Sequence, residues 1–492
     1  MEQPSFDSPL LLPCPPKKIS NGEEGMGGGR EEGEGAVLAE VKKQLWLAGP
    51  MIASSLLLKT LQVISVMFVG HLGELPLSGA SMATSFAGVT GYSLMMGLGS
   101  ALDTLCGQSY GAKQYRMLGI HTQRAMLVLV VVSVPVSLIW AYTGQLLVAF
   151  GQDPEISAEA GLYAQWLIPS IFAFALLQCL VRFLQTQNIV FPLMLCTGVT
   201  TLLHFFVCWI LVFKSGLGNK GAALANAISY WINVLLLALY IKLSPACRET
   251  WTGFSREASH NISDFVKIAI PASCMVCLEV WSFELLLLLS GLLPNPKLET
   301  SVLSISLNTS SILFMIPMGL GAVISTRTSN ELGAGRPRAA QLAVCVVVVM
   351  AILEGLVLGL VMFMVKGVWG RAYTDEEEVV KYLAVMLPLI AASNFIDGIQ
   401  CVLSGVARGC GWQKIGAFVN LGAFYVVGIP ASVLFAFSFH IGGKGLWFGF
   451  ICGLCVQMLF LLAITLHTNW EKVAKTARER VYCSSIPVDT AT

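Results

Sequence analysis

The sequence predicts an all-α membrane protein with twelve transmembrane helices, arranged as two six-helix lobes that are related by a pseudo-two-fold parallel repeat. Three observations predict this fold class: an apolar composition, twelve apolar segments of membrane-spanning length, and an internal repeat. Of the 492 residues, 55% are hydrophobic and 12% are Asp, Glu, Lys or Arg. A soluble domain carries roughly 25% charged residues, so this composition favours a membrane protein.

Twelve segments are long and apolar enough to cross a bilayer, for which a helix needs about 20 residues. They lie at roughly 46–70, 79–103, 125–147, 160–182, 190–213, 222–242, 268–291, 301–326, 340–365, 380–404, 415–438 and 445–467. The stretches outside them give the predicted organisation: a disordered cytosolic tail (1–40), a first lobe (41–243), a cytosolic linker (244–267), a second lobe (268–468) and a polar cytosolic tail (469–492). The first tail has no apolar core of a signal peptide.

The distribution of positive charge predicts that both chain termini face the cytosol. Cytoplasmic loops of membrane proteins carry an excess of Lys and Arg. Nineteen such residues lie in the even-numbered connections and the two flanks. The odd-numbered connections carry seven, namely Lys214, Lys220, Lys297, Lys366, Arg371, Lys381 and Lys444.

The two halves of the chain repeat each other. MGLGSA at 96–101 ends the second segment, and MGLGAV at 318–323 ends the eighth, 222 positions later. GNKG at 218–221 and GGKG at 442–445 precede the sixth and twelfth segments, 224 positions apart. Six helices per unit place both halves in the same orientation, as in parallel-repeat transporters. We therefore expect a central cleft between two lobes that rock to give alternating access.

Several classes of protein are disfavoured by what the sequence contains. The net charge of +1 argues against a nucleic-acid partner, and the fourteen cysteines lack the paired spacing of a metal site. Short loops without a nucleophile or phosphate-binding motif indicate that the chain is not an enzyme and not a self-contained ATP-driven pump. The prediction is a monomeric transporter of small molecules, surrounded by lipid, that uses a proton gradient and no cofactor.

Carboxylates at membrane depth are the candidate proton-coupling and substrate-binding residues. Placing a charged side chain there costs about 2.5–3.5 kcal/mol on insertion scales, so such a residue is a candidate for a functional role. The second half contributes Glu279, Glu284 and Asp397. Glu279 and Glu284 are five residues apart, hence about 140° apart around a helix, so they should face different neighbours. Glu354, in an otherwise apolar segment, is interpreted as an acid that satisfies backbone or hydroxyl groups between helices.

Lys59 is the deep charge of the first half, and two interpretations of it stay open. It could neutralise a carboxylate across the cleft, or it could belong to an anion-accepting site. Aromatic side chains can hold organic cations, although most such residues only pack. The further cleft candidates on this basis are Tyr230, Trp231, Trp281, Phe283, Phe395 and Tyr425, while His204 is expected to be a hydrogen-bonded core residue.

Long strings in the sequence resemble the multidrug and toxic compound extrusion (MATE) family in its plant form. They include SVMFVGHLGEL at 65–75, GLGSALDTLCGQSYGA at 97–112, the segment 277–305 and IPMGLGAVISTRTSNELGAG at 316–335. The resemblance runs in order over nearly all of 41–470. It implies a twelve-helix, two-lobe antiporter that expels organic cations, alkaloids, flavonoid-type metabolites and xenobiotics in exchange for protons or sodium.

The resemblance also implies roles for individual positions. The acids of the seventh and tenth helices, implicated in proton coupling and substrate binding in eukaryotic members, match Glu279, Glu284 and Asp397. An acid of animal members aligns with Asn308, and an aspartate of bacterial members aligns with Ser65, so neither acidic role transfers. Asn308 stays a possible cleft residue. We therefore expect the proton chemistry in the second lobe, while the first lobe shapes the cleft.

Simple sequence features distinguish a drug transporter from the alternative functions. A lipid or oligosaccharide flippase of related fold should have a more cationic cleft, to which Lys59 alone contributes here. If the protein were a receptor, we would expect seven spans and no repeat.

A short motif bears on the location of the protein in the cell. Residues 7–12, DSPLLL, fit an acidic dileucine pattern that could direct sorting to the vacuole. The predicted location is therefore the vacuolar membrane or the plasma membrane.

Overall fold

Twelve long helical segments follow one another along the chain, and a shorter helix comes after them. The structure is a computed structural model that describes residues 31–484. The segments are α1 (Glu31–Gly70), α2 (74–111), α3 (Tyr115–Ala141), α4 (Pro154–Thr186), α5 (Phe191–Lys214), α6 (Asn219–Leu243), α7 (Ile262–Ser290), α8 (296–333), α9 (Pro337–Val365), α10 (Glu377–Cys410), α11 (Gln413–Ser438), α12 (Gly443–Leu466) and α13 (Trp470–Ser484). Eleven of them are long and apolar enough to cross a membrane.

The segment α2 is the exception, and its helix is also irregular. It consists of the helix Glu74–Ala87, a π-helical turn at Gly88–Tyr92, the helix Ser93–Gly99 and the helix Ala101–Gly111. With α2 included, the described chain has the twelve spans that the sequence predicts.

Two irregularities of the backbone recur in the register of the internal repeat. The segment α8 is interrupted at Phe314, which lies 222 positions after Tyr92 at the end of the π turn in α2. The π turns at Ile210–Lys214 in α5 and Leu434–Ser438 in α11 are 224 positions apart. Because a π turn is an uncommon local structure, its recurrence in register supports the predicted repeat independently of residue identity.

Residues with a left-handed backbone recur in the same register. This conformation is costly for residues with a side chain and favours glycine. The φ angles of the matched pairs are 60° at Lys113 and 70° at Gly335, 62° at Asn188 and 84° at Gly411, 73° at Gly216 and 54° at His440, and 53° at Gly218 and 68° at Gly442. The two halves of the chain thus repeat the same turns with partly different residues.

The structure changes the predicted ends of the bundle. The helix α1 begins at Glu31, so the prediction of a disordered tail is wrong for residues 31–40, and residues 1–30 lie outside the described chain. In the predicted polar tail, α13 buries Trp470, Ala474 and Val481. Residues 485–492 lie outside the described chain. The predicted linker 244–267 overlaps α7, which begins at Ile262.

Buried apolar side chains form one large cluster in each half and one cluster that joins the halves. The first cluster draws on α1–α6 and the start of α7, and a second draws on α7–α12. A third combines Leu47 and Met51 of α1 with residues of α8, α9, α10 and α13. It lies where α1 begins and where α2 and α8 end, and we call this side of the bundle the terminal face.

Candidate functional site

Two of the predicted carboxylates meet in the second half, on either side of one amide. The Nε2 of Gln400 donates hydrogen bonds to Glu279 Oε1 at 3.0 Å and to Asp397 Oδ1 at 3.1 Å. The Oε1 of Gln400 accepts from the Ser404 hydroxyl at 2.8 Å, which fixes the orientation of the amide. Asp397, Gln400 and Ser404 are buried, whereas Glu279 is partly exposed. The α7 and α10 carboxylates are therefore held at a fixed separation.

Neighbouring helices contribute two more amides to this cluster. The Nδ2 of Asn420, on α11, donates to the Met275 carbonyl at 2.7 Å and lies 3.5 Å from Glu279 Oε2. Gln457, on α12, donates to Asn420 Oδ1 at 2.8 Å. Both amides are fully buried. A buried polar group is costly unless it is hydrogen-bonded. The hydrogen bonds of these amides therefore hold α7, α10, α11 and α12 in one arrangement.

The remaining acids face other directions. Glu284 lies beside Ser85 of α2, so it faces the first half, while Glu279 faces α10 and α11. This confirms that the two α7 acids have different neighbours. Glu354 packs against Gly398, the residue after Asp397, and its Oε1 is buried without a hydrogen-bond partner in the described chain. This placement does not show the expected hydrogen bond between Glu354 Oε1 and a backbone or hydroxyl group of a neighbouring helix.

The first half holds a small cavity without charged lining residues. Its polar lining residues are Gln62, Ser65, Thr84, Tyr92, Tyr163, Asn226 and Tyr230. Behind the cavity, His204 contacts Ser65 Oγ at 3.0 Å and Ser229 Oγ at 2.8 Å, which confirms the expectation of a hydrogen-bonded core histidine. This half therefore offers hydroxyls and amides where the second half offers carboxylates.

Lys59 lies near this cavity and makes no ion pair among residues 31–484. It is partly buried on α1, one turn before Gln62 and two turns before Val66, both of which line the cavity. The structure therefore does not show the predicted alternative in which Lys59 neutralises a carboxylate across the cleft.

Three aromatic candidates and Asn308 lie in separate surroundings. Tyr230 lines the first-half cavity. The Trp281 indole donates to the Val89 carbonyl at 3.0 Å, across the boundary. The hydroxyl of Tyr425 is buried without a hydrogen-bond partner in the described chain. Asn308 is exposed, and its amide donates to the carbonyl of Ser304 at 3.0 Å.

The other three aromatic candidates pack against other helices. Trp231 donates to the Pro169 carbonyl at 3.1 Å, while the adjacent Tyr230 faces the cavity. Phe283 packs on Phe450 with ring centroids 4.6 Å apart. Phe395 packs against Gly355 of α9. These contacts give the three residues structural roles, which an aromatic side chain in an apolar helix cannot reveal from its position alone.

The two halves are joined at the terminal face. Arg327 of α8 forms a two-bond contact with Glu40 of α1, at 3.0 and 2.7 Å, and a third bond with Glu331 at 2.7 Å. All three side chains are buried. Gln108 of α2 donates to the Gly409 carbonyl at 3.1 Å and accepts from Arg480 of α13 at 2.7 Å. The two halves are thus held together at this face by polar contacts.

A family model, curated relatives and solved structures match this chain. The MatE family model matches residues 50–210 and 271–434. Protein DETOXIFICATION 16 of Arabidopsis thaliana is 61% identical over 473 residues, covering 94% of this chain and 97% of the relative. The crystal structure of the eukaryotic MATE transporter AtDTX14 is 49% identical with a TM-score of 0.88, over 91% of this chain and all of that chain. The Vibrio cholerae MATE transporter VcmN shares the fold, with a TM-score of 0.80 over 89% of this chain and all of that chain at 19% identity.

The twelve-helix repeat and these comparisons define a multi-pass membrane transporter of small molecules, and not an enzyme. The chain belongs to the MATE family of multidrug and toxin efflux transporters.

Proposed function

We propose that this transporter exports organic cations, alkaloids, flavonoid-type metabolites or xenobiotics in exchange for protons, by alternating access. Glu279 and Asp397 are its proton- and substrate-binding carboxylates. The observation that best supports this proposal is that one buried amide, Gln400, holds both carboxylates.

The geometry gives a physical reason for proton uptake. Both carboxylate oxygens lie within 3.0–3.1 Å of Gln400 Nε2, so they are at most about 6 Å apart. Two negative charges at this distance repel each other by about 3 kcal/mol at an effective dielectric constant of 20. A proton on either carboxylate, or a cationic substrate beside them, removes this repulsion. Proton and substrate therefore compete for the same pair, as antiport requires.

The surrounding helices can transmit the exchange. Pro271 lies two turns before Glu279 inside α7, and proline is a common cause of helix kinks. Glu284, facing Ser85, adds a carboxylate at the boundary between the halves. When the pair is deprotonated and open to the cytosol it accepts a substrate. Protonation from an acidic exterior or lumen displaces that substrate after the cleft has opened to the other side.

The orientation of the protein in the membrane is proposed from its charge distribution. Residues 41–243 and 268–468 are the two lobes, and the terminal face is cytosolic because the Lys and Arg excess lies there. The closed terminal face then corresponds to a cleft directed to the exterior or the vacuolar lumen. The transporter acts as a monomer among membrane lipids, in the vacuolar membrane or the plasma membrane.

The proposal is tested in proteoliposomes with an imposed pH gradient. Uptake of a fluorescent quaternary ammonium alkaloid is compared between the wild-type protein, Glu279→Gln and Asp397→Asn. Each substitution removes a proton-binding group and keeps the side-chain size, so gradient-driven uptake should fall at least 100-fold. Glu377→Gln is the matched control, because Glu377 is exposed in a surface pair with Lys381.

Substrate exchange without a gradient separates coupling from folding. A variant that still exchanges substrate but no longer responds to the gradient has lost proton coupling, as proposed. Undiminished gradient-driven uptake in both Glu279→Gln and Asp397→Asn would overturn the assignment of these carboxylates.

A further inference from the structure

A second cavity lies at the terminal face, where the segment 244–250 packs on the first half. Its volume is about 210 Å³. We call it the linker cavity, and its lining residues are Tyr110, Tyr115, Gln187, Pro245, Ala246, Glu249 and Thr250. These residues come from the end of α2, the start of α3, the turn after α4 and the segment after α6. The linker cavity is therefore separate from the carboxylate pair, which lies between α7 and α10.

Two aromatic rings and one carboxylate surround this space. The rings of Tyr110 and Tyr115 have centroids 5.5 Å apart and are tilted by 52°. Glu249 is exposed and forms no ion pair within residues 31–484, whereas Glu257 of the same connection pairs with Arg116 at 2.5 Å. Aromatic faces attract cations within about 6 Å of the ring centroid. Two rings that meet at an angle, beside an unpaired carboxylate, therefore favour an ammonium ion.

The charge and the size of the linker cavity limit the class of ligand. Glu249 lines the cavity, whereas the basic residues nearest to the lining residues in sequence, Lys113, Arg116 and Arg248, do not line it. Sites for drug-sized ligands occupy about 300–1,000 Å³, so a volume of about 210 Å³ suits a smaller molecule. A calcium ion would need about six to eight oxygen ligands, and the described residues include no group of three His, Cys, Asp or Glu side chains that could hold a metal ion. The ligand class is thus a small organic ammonium ion.

Two walls of the linker cavity are adjacent in sequence to contacts with the second half. Gln187 follows Thr186, whose carbonyl accepts a hydrogen bond from Asn330 Nδ2 of α8 at 3.1 Å. Tyr110 precedes Gly111, which packs against the backbone of Asn330. Separation of the halves at Asn330 would therefore change the relative positions of the two walls.

We propose that the linker cavity binds a small organic ammonium ion and that the bound ion holds the two halves together at the terminal face. The ammonium group lies against the two tyrosine rings and pairs with Glu249. A ligand shifts an equilibrium between two arrangements by its difference in affinity for them, and here the arrangement with the halves in contact keeps the walls in place. The ion is a regulator and is not transported from this site, so the inference goes beyond the proposed function.

The binding test uses choline and its neutral analogue 3,3-dimethyl-1-butanol, in which carbon replaces the ammonium nitrogen. Dissociation constants are measured by calorimetry on the purified full-length protein. They are also measured on the double variant Glu279→Gln/Asp397→Asn, so that the carboxylate pair cannot account for choline binding. Both backgrounds are combined with Glu249→Gln, Tyr115→Leu and the conservative Tyr115→Phe. The control is Glu377→Gln, which changes an exposed surface pair.

The expected result is charge-dependent binding that needs the ring and the carboxylate. Choline should bind at least tenfold more tightly than its neutral analogue in both backgrounds. Glu249→Gln and Tyr115→Leu should each weaken choline binding at least fivefold, while Tyr115→Phe and Glu377→Gln should stay within twofold. Equal binding of the two probes, no choline binding by the double variant, or unchanged binding in both Glu249→Gln and Tyr115→Leu would overturn the inference. The comparison of probes uses the unsubstituted protein, so misfolding of a variant cannot imitate its result.

The effect on the contact between the halves is measured at a buried position. Ser329 is fully buried at the terminal face and packs against Gly107 of α2. In a cysteine-free protein with Ser329→Cys, saturating choline should slow alkylation by a water-soluble maleimide at least threefold, and the neutral analogue should not. An unchanged rate with choline would overturn the inference. Undiminished gradient-driven uptake in both Glu279→Gln and Asp397→Asn would count against the proposed function alone, because choline binding is measured without these carboxylates.

Discussion

The buried contact between Glu40 and Arg327 should control how often the terminal face opens. Removing one partner of a buried ion pair costs about 3–5 kcal/mol. In Glu40→Gln the new amide oxygen can keep one hydrogen bond and Arg327 keeps Glu331, so we take a smaller cost of about 2 kcal/mol. Because Glu40 and Arg327 belong to different halves, this cost falls on the closed arrangement. The open population should rise about 30-fold.

The assay measures access to a buried thiol. Ser329 is fully buried at the terminal face and packs against Gly107 of α2, so Ser329→Cys in a cysteine-free background reports opening. When opening is fast relative to labelling, the rate of alkylation by a water-soluble maleimide is proportional to the open population. Glu40→Gln should raise this rate about 30-fold. The control Glu377→Gln, in an exposed pair, should not change it.

The result that would refute this reasoning is a rate in Glu40→Gln within threefold of the reporter protein alone. The contact would then contribute equally to both arrangements, and the closure would depend on other residues of the terminal face.

Three further predictions concern single side chains. Gln400→Leu removes two hydrogen bonds to carboxylates, each worth about 1.5–3 kcal/mol, and should reduce gradient-driven uptake at least tenfold, while Gln165→Leu on the surface should not. Trp140→Ala empties a fully buried site and should destabilise the protein by about 3–5 kcal/mol, seen as a lower melting temperature in detergent, with exposed Val131→Ala as control. Gly111→Val places a side chain against the facing backbone of α8, so thiol access at the terminal face should rise at least tenfold, and unchanged access would contradict this packing.

Much of the architecture follows from patterns that the sequence makes explicit. The repeat of 222–224 positions is visible in glycine-containing strings and recurs in the π turns and left-handed residues. The α1 extension at 31–40 was missed because glycine and acidic residues there resemble a disordered stretch. This extension is stabilised at the terminal face because Glu40 contacts Arg327, which lies 287 positions away in the sequence. A local sequence pattern cannot reveal so distant a partner.

The candidate site was only partly predictable. Depth in the membrane made Glu279 and Asp397 conspicuous because charge is rare there. Gln400 is neutral and was not considered, although its position one turn after Asp397 in an apolar helix is a signal that could have found it. Asn420 and Gln457 carry the same kind of signal. The directions of Trp231 and Phe395 could not be predicted, because aromatic residues pack on any side of a buried helix.

The matched left-handed turns bear on how the two halves came to differ. At three of the four pairs, one half has glycine and the other has Lys113, Asn188 or His440, yet the backbone is the same. The frame was therefore kept while its residues diverged. A duplicated frame of this kind lets one half acquire a cation and the other a pair of acids without altering how they fit together, so specialisation and movement could evolve separately.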